Sequence, residues 1–149
     1  MKTALLFSVL AGCFIADEAG DKAITKDQKQ IEGTWQVTRL VIGGDKAPAS
    51  DITKMKVING SDGTWALQVD GKEIAKGTSS IDPSQKTRTI DFTITEGDGK
   101  GEHHLGIYEL GKNARKLCFA PQAKGRPAGF TSTQAAGSIL VEFERDKAR

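Results

Sequence analysis

From Thr87 to Thr95 the chain alternates strictly, with Ile90, Phe92 and Ile94 on one side and Thr89, Asp91, Thr93 and Thr95 on the other. A period of two is that of an extended strand with one face buried; a helix would repeat its apolar face every 3.6 residues or so. The pattern recurs. In 33–42, Trp35, Val37 and Val41 share one face against Thr34, Gln36 and Thr38; in 138–144, Ile139, Val141 and Phe143 oppose Glu142 and Glu144. Shorter runs of the same kind fall at 55–59, 64–69, 72–79, 105–110 and 116–120.

Turn residues separate these runs. Asp70-Gly71 is the strongest signal, a two-residue hairpin joining 64–69 to 72–79. Gly60-Ser61-Asp62-Gly63, Glu96–Gly101 and Gly111-Lys112-Asn113 mark others, and residues 48–54 read as a short connecting helix with Ser50 or Asp51 as N-cap. Glycine supplies 17 of the 149 residues, above the average of about 7%, as a chain of tight turns requires. About eight short strands at this spacing define an all-β fold, a single antiparallel up-and-down barrel with one short connecting helix. A chain this long builds one core, not two.

The first residues belong to a different pattern. Met1-Lys2-Thr3 is a short basic start and Ala4–Gly12 is apolar apart from Ser8, the layout of a signal peptide and too short to span a bilayer. Leu10-Ala11-Gly12-Cys13 resembles the bacterial lipobox, whose cysteine takes lipid and becomes the new N-terminus. Lipid attachment at Cys13 and ordinary cleavage near Ala16 or Ala19 both remain open. The organisation is therefore a signal segment over 1–13, a polar tether over 14–30 ending in a helical turn, and the barrel domain over 31–146. Either route gives an extracytoplasmic protein, lipid-anchored at the cell envelope or secreted, touching membrane only through its N-terminus.

Charge and cysteine usage narrow the chemistry. There are 21 Lys and Arg against 19 Asp and Glu, with no basic block, so nucleic acid is not an expected partner. Cys118 sits in the apolar string Leu117-Cys118-Phe119-Ala120 and reads as a small core residue. His103-His104, the only histidine pair, reads as loop residues at a hairpin edge. As neighbours on a strand they would face opposite ways and could not share a metal. Asp91 and Glu109 could form a carboxylate pair only if the fold brought them within the ~5–10 Å that glycosidases use. Lys112, Arg115 and Lys116 read as a solvated turn. No phosphate loop, nucleophile–histidine pattern or metal spacing occurs, so neither enzyme activity, a cofactor nor a metal is expected.

Gly33-Thr34-Trp35, after a polar helical turn, resembles the G-x-W signature of lipocalin-like barrels. That resemblance implies that Trp35 plugs the closed end and that Arg145, two residues beyond Phe143 and of the same parity, covers it as a barrel cap. The body is also similar to a planctomycete-type small domain of unknown function with a lipocalin-like fold. The shared strings are 31–37 (IEGTWQV), 75–78 (AKGT), 81–84 (IDPS), 89–93 (TIDFT), 105–110 (LGIYEL), 117–120 (LCFA) and Arg126-Pro127. The resemblance implies a fold and export, and no catalytic residues.

With Trp35 setting the inward parity, the expected pocket lining is Val37, Trp65, Leu67, Phe92, Ile107, Phe119, Val141 and Phe143. Such a set either lines a pocket for a small apolar ligand or closes it, leaving a filled barrel that acts as an envelope protein–protein interaction or structural module.

Overall fold

The computed structural model describes residues 11–147, with side chains from Ala19 onward. Most of the expected signal segment, residues 1–10, lies outside the described residues. The described chain consists of α1 (Ala11–Ile31), β1 (Gly33–Ile42), β2 (Asp45–Lys46), α2 (Ala49–Ile52), β3 (Met55–Asn59), β4 (Thr64–Val69), β5 (Lys72–Asp82), β6 (Thr89–Gly97), β7 (His103–Leu110), β8 (Ala114–Pro121), a 3-10 turn (Gln122–Lys124) and β9 (Ile139–Arg145).

Each strand from β3 to β9 pairs antiparallel with the next, and β1 pairs with both β3 and β9. The result is a closed, eight-stranded, up-and-down antiparallel barrel with the two-residue β2 folded onto the end of β1. Closure leaves no long free edge, which is how such sheets avoid pairing with other chains. The Asp70-Gly71 hairpin forms as expected: Val69 pairs with Lys72, and both loop residues have positive φ, 54° and 76°, the requirement of a type I′ turn.

Alternation does not survive unbroken along β1. Val37 pairs with Phe143 and Arg39 with Glu142, so Thr38 is one residue too many and makes a bulge. Beyond it the parity reverses: Leu40 and Ile42 face inward, and Val41, expected on the Trp35 face, points out. There it joins Ile107, Cys118, Leu140 and Phe130 in a second cluster beneath the 121–138 loop.

Two helical expectations are corrected. Residues 17–30 are helical throughout as part of α1, not a tether ending in one turn. The N-cap position of helix α2 is Pro48, with no side-chain cap bond, so neither Ser50 nor Asp51 caps it. The helix precedes β3, which begins level with Gln36 while β1 runs on to Ile42; Gln36 Nε2 donates to the Ile52 and Met55 carbonyls, 3.0 Å each. Among the described residues no helix is long and apolar enough to cross a membrane.

One end of the barrel carries the 60–63, 83–88 and 111–113 turns together with the C-terminal part of α1. At that end Gln30 Nε2 donates to Gly111 O at 3.0 Å and Trp35 Nε1 to Ile31 O at 2.7 Å. The helix therefore stoppers this end. The opposite end carries the 70–71, 98–102 and 122–138 connections.

Candidate functional site

Inside the barrel is a cavity of about 360 Å³. Register accounts for its walls. Paired residues on neighbouring strands share a face, so Trp65 opposite Gly77, Ser79 opposite Phe92, Phe92 opposite His104, and Phe119 opposite Ile139 all point to the interior. At Gly77 Trp65 lies against the backbone; a Cβ there would come within 2.7 Å of the indole Cζ2. Trp65, Phe92, His104 and Phe119 form a continuous aromatic group, with the His104 and Phe92 rings stacked at 4.9 Å and Phe119 edge-on to both.

Of the residues expected to line the pocket, Val37, Trp65, Leu67, Phe92, Phe119, Val141 and Phe143 do border this cavity. Ile107 does not. It pairs with Cys118 on the outer face and packs under the 121–138 loop. Strand β7 is apolar on both faces along Leu105–Tyr108, and only the register shows that Gly106 and Tyr108 are the inward pair. Several lining residues, Trp65, Leu67, Phe92 and Phe119 among them, are only half-buried although they point inward. The interior is thus reachable by solvent, and the exposed side chains of Ile42 and Asp98 stand at its mouth, opposite the stoppered end.

At the closed end Trp35 is fully buried, with the Arg145 guanidinium 4.3 Å from its ring centroid. Arg145 also donates from Nη1 to Glu32 O at 2.9 Å and from Nη2 to Gln30 O, joining the last strand to the end of α1. The sequence did not reveal that a second cation meets the same indole. Arg115, expected in a solvated turn, is 8% exposed, with its guanidinium 4.7 Å from the Trp35 ring and 4.2 Å from Phe143. It is the second residue of β8, opposite Phe143 and Leu110, so strand parity turns it into the barrel. The basic neighbours Lys112 and Lys116 hid that parity.

Arg115 Nη1 donates to Asn59 Oδ1 at 2.8 Å, while its buried Nε has no partner among the described residues. Nor do Arg115 and Arg145 pair with any carboxylate among the described residues. Burial, and then the Arg145 charge, pull the Arg115 guanidinium down to about 9, so it remains a cation at neutral pH. Buried charge without a counterion is costly, and here only two aromatic faces and one amide offset it.

The histidines separate as strand neighbours must. His103 is exposed and its Nδ1 meets Thr93 Oγ1 at 2.9 Å. His104, expected on a hairpin edge, is buried in the barrel. Its Nε2 lies 3.2 Å from Glu102 Oε1, and Nδ1 has no partner among the described residues. No group of three or more His, Cys, Asp or Glu able to hold a metal occurs among the described residues.

The carboxylate pair does not form. Asp91 is outward and bound to Arg126 Nη1 at 2.7 Å. It pairs with Leu105, and Glu109 lies four residues farther along that strand, about 13 Å away at the usual rise. An open polar depression of about 400 Å³ lies on this outer surface, bordered by Thr78, Ser80, Asp91, Thr93 and His103. It lacks the enclosure of the barrel interior. Cys118 is buried, and its Sγ donates to Thr131 O at 3.4 Å; burial raises its thiol above the usual range, the reverse of what a nucleophile needs. Cys13 falls within the helical stretch α1, and its side chain lies outside the described residues.

Fold and site together define a closed antiparallel β-barrel, stoppered at one end, with a solvent-reachable apolar cavity that has a cationic floor. No family model, curated protein or solved structure matches the chain.

Proposed function

We propose that this chain is an exported, non-enzymatic, lipocalin-like barrel that binds a small apolar ligand, held at the cell envelope through lipid on Cys13. One observation carries the ligand reading: a cavity of about 360 Å³ walled by Leu67, Phe92, Leu117, Phe119 and Val141, within the ~300–1,000 Å³ of small-molecule sites. A filled barrel would leave no such volume. The export reading rests on the basic, apolar and Cys-terminated pattern of residues 1–13.

Native mass spectrometry of the protein as processed and purified gently from the envelope of the cells that make it tests both parts. A bound mass that leaves on denaturation, and a diacylglycerol-sized covalent increment at Cys13, are the expected results. A bare apo mass, together with no binding of apolar probes to the purified protein, would overturn the ligand reading.

A further inference from the structure

We infer that the ligand is an anion-headed amphiphile, a medium-chain carboxylate, whose head meets Arg115 on the cavity floor while its tail lies along the aromatic wall. The inference deepens the proposed function and rests on it. The cavity runs from Arg115 and Asn59 beside the stopper, along an aromatic and aliphatic wall, to Ile42, His104 and Asp98 at the other end, so its one cationic side chain lies at the bottom. Arg115 is more than nine-tenths buried, borders the cavity, and offers a buried Nε–H with no acceptor among the described residues. One guanidinium nitrogen is already fixed by Asn59 Oδ1 at 2.8 Å. A carboxylate on the other edge would supply both the missing acceptor and the missing counter-charge, in the two-pronged geometry that guanidinium favours. Arg145, on the same indole but outside the cavity lining, adds a second positive charge near that end. A neutral ligand would leave that charge uncompensated, and a cationic one would be repelled by it.

Trp65 borders the cavity while Trp35, the second tryptophan, is buried, so the ligand-dependent change in tryptophan emission, compared with that of a Trp65→Phe variant, reports binding. Decanoate, decanol and decyltrimethylammonium, each below its aggregation threshold, share a tail and differ in head. Decanoate is expected to bind about tenfold or more tighter than decanol, the worth of a charge-assisted hydrogen bond, and the ammonium compound weakest. Arg115→Gln is expected to erase the decanoate preference, so that decanoate binds no tighter than decanol to the same variant, and Arg115→Lys to restore part of it. Equal affinities for decanoate and decanol would overturn anion recognition while leaving the apolar-ligand reading intact. No binding of any of the three would remove that reading and the inference with it. A folded Arg115→Gln protein that keeps the preference would also overturn the inference. If that variant does not fold, the three-probe comparison on the unaltered protein still decides.

Discussion

Tyr108, on the inner wall of β7, donates its hydroxyl to Asp27 Oδ2 of helix α1 at 2.7 Å, a buried bond spanning 81 residues of sequence. Asp27 is 5% exposed and has Arg88 Nη1 at 3.7 Å as its cationic neighbour. The pair fastens the stopper helix to the barrel and makes a segment with little apolar periodicity hold its place. Isolated helices of modest length are marginal in water, so such tertiary contacts decide whether one forms.

That bond makes the alkaline limit of stability readable. Burial first, and the hydrogen bond to Asp27 second, push the Tyr108 phenol far above its usual value of 10.0. Its contribution to stability is fully present below about pH 10 and is lost above it, because the unfolded chain releases a proton that the native state keeps. Tyr108 is the only tyrosine, so phenolate absorbance reports it alone. In an alkaline titration the native protein should show no phenolate near pH 10 and gain it only on unfolding, while Asp27→Asn should ionise earlier. Ordinary titration of the native protein near pH 10 would contradict the buried bond.

Trp35→Ala removes a fully buried indole, its bond to Ile31 O and the surface on which two guanidiniums rest. A loss of about 3–5 kcal/mol is expected in urea unfolding. Arg145→Met keeps much of the stem and should cost less, about 1–2 kcal/mol, through the lost cation–π contact and carbonyl bonds. A neutral Trp35→Ala would show that the tryptophan does not cap the barrel.

Gly77→Ala probes the wall. The added methyl would overlap the Thr93 carbonyl oxygen and press on Trp65, and both are held by strand pairing. Destabilisation of about 1–3 kcal/mol is expected, with a shift in the tryptophan emission, of which the Trp35 part should stay constant, as the Trp65 ring is displaced. A variant as stable as the parent with unchanged emission would refute this packing.

Cys13→Ser separates anchoring from secretion. A lipid-bearing chain should move from the membrane fraction to the soluble fraction, or accumulate unprocessed, because stable anchoring needs more than one acyl chain or signal. Unchanged fractionation would leave ordinary cleavage near Ala16 or Ala19 as the processing route.

The barrel and its hairpin order were legible because period-two alternation and positive-φ turn residues are local properties of backbone and burial. Ile90, Phe92 and Ile94 state their face outright, and Asp70-Gly71 states its turn. Where apolar residues occupy both faces, as at Leu105–Tyr108, alternation loses its meaning: the sequence points Ile107 inward and the register turns it out. The bulge at Thr38 reversed the parity of Val41, and nothing in β1 alone marks it, since a bulge exists only relative to the partner strand.

The sequence by itself determined the strands, most of their connections and seven of the inward residues now seen around the cavity. Only the tertiary structure decided that α1 stoppers one end, that His104 and Arg115 lie inside, and that the interior is left open. The cause is physical: alternation encodes which side of a strand avoids water. The depth of a cation, the volume between facing side chains and the docking of a polar helix depend on residues far apart in sequence, such as Arg115 with Asn59 and Trp35, and Tyr108 with Asp27.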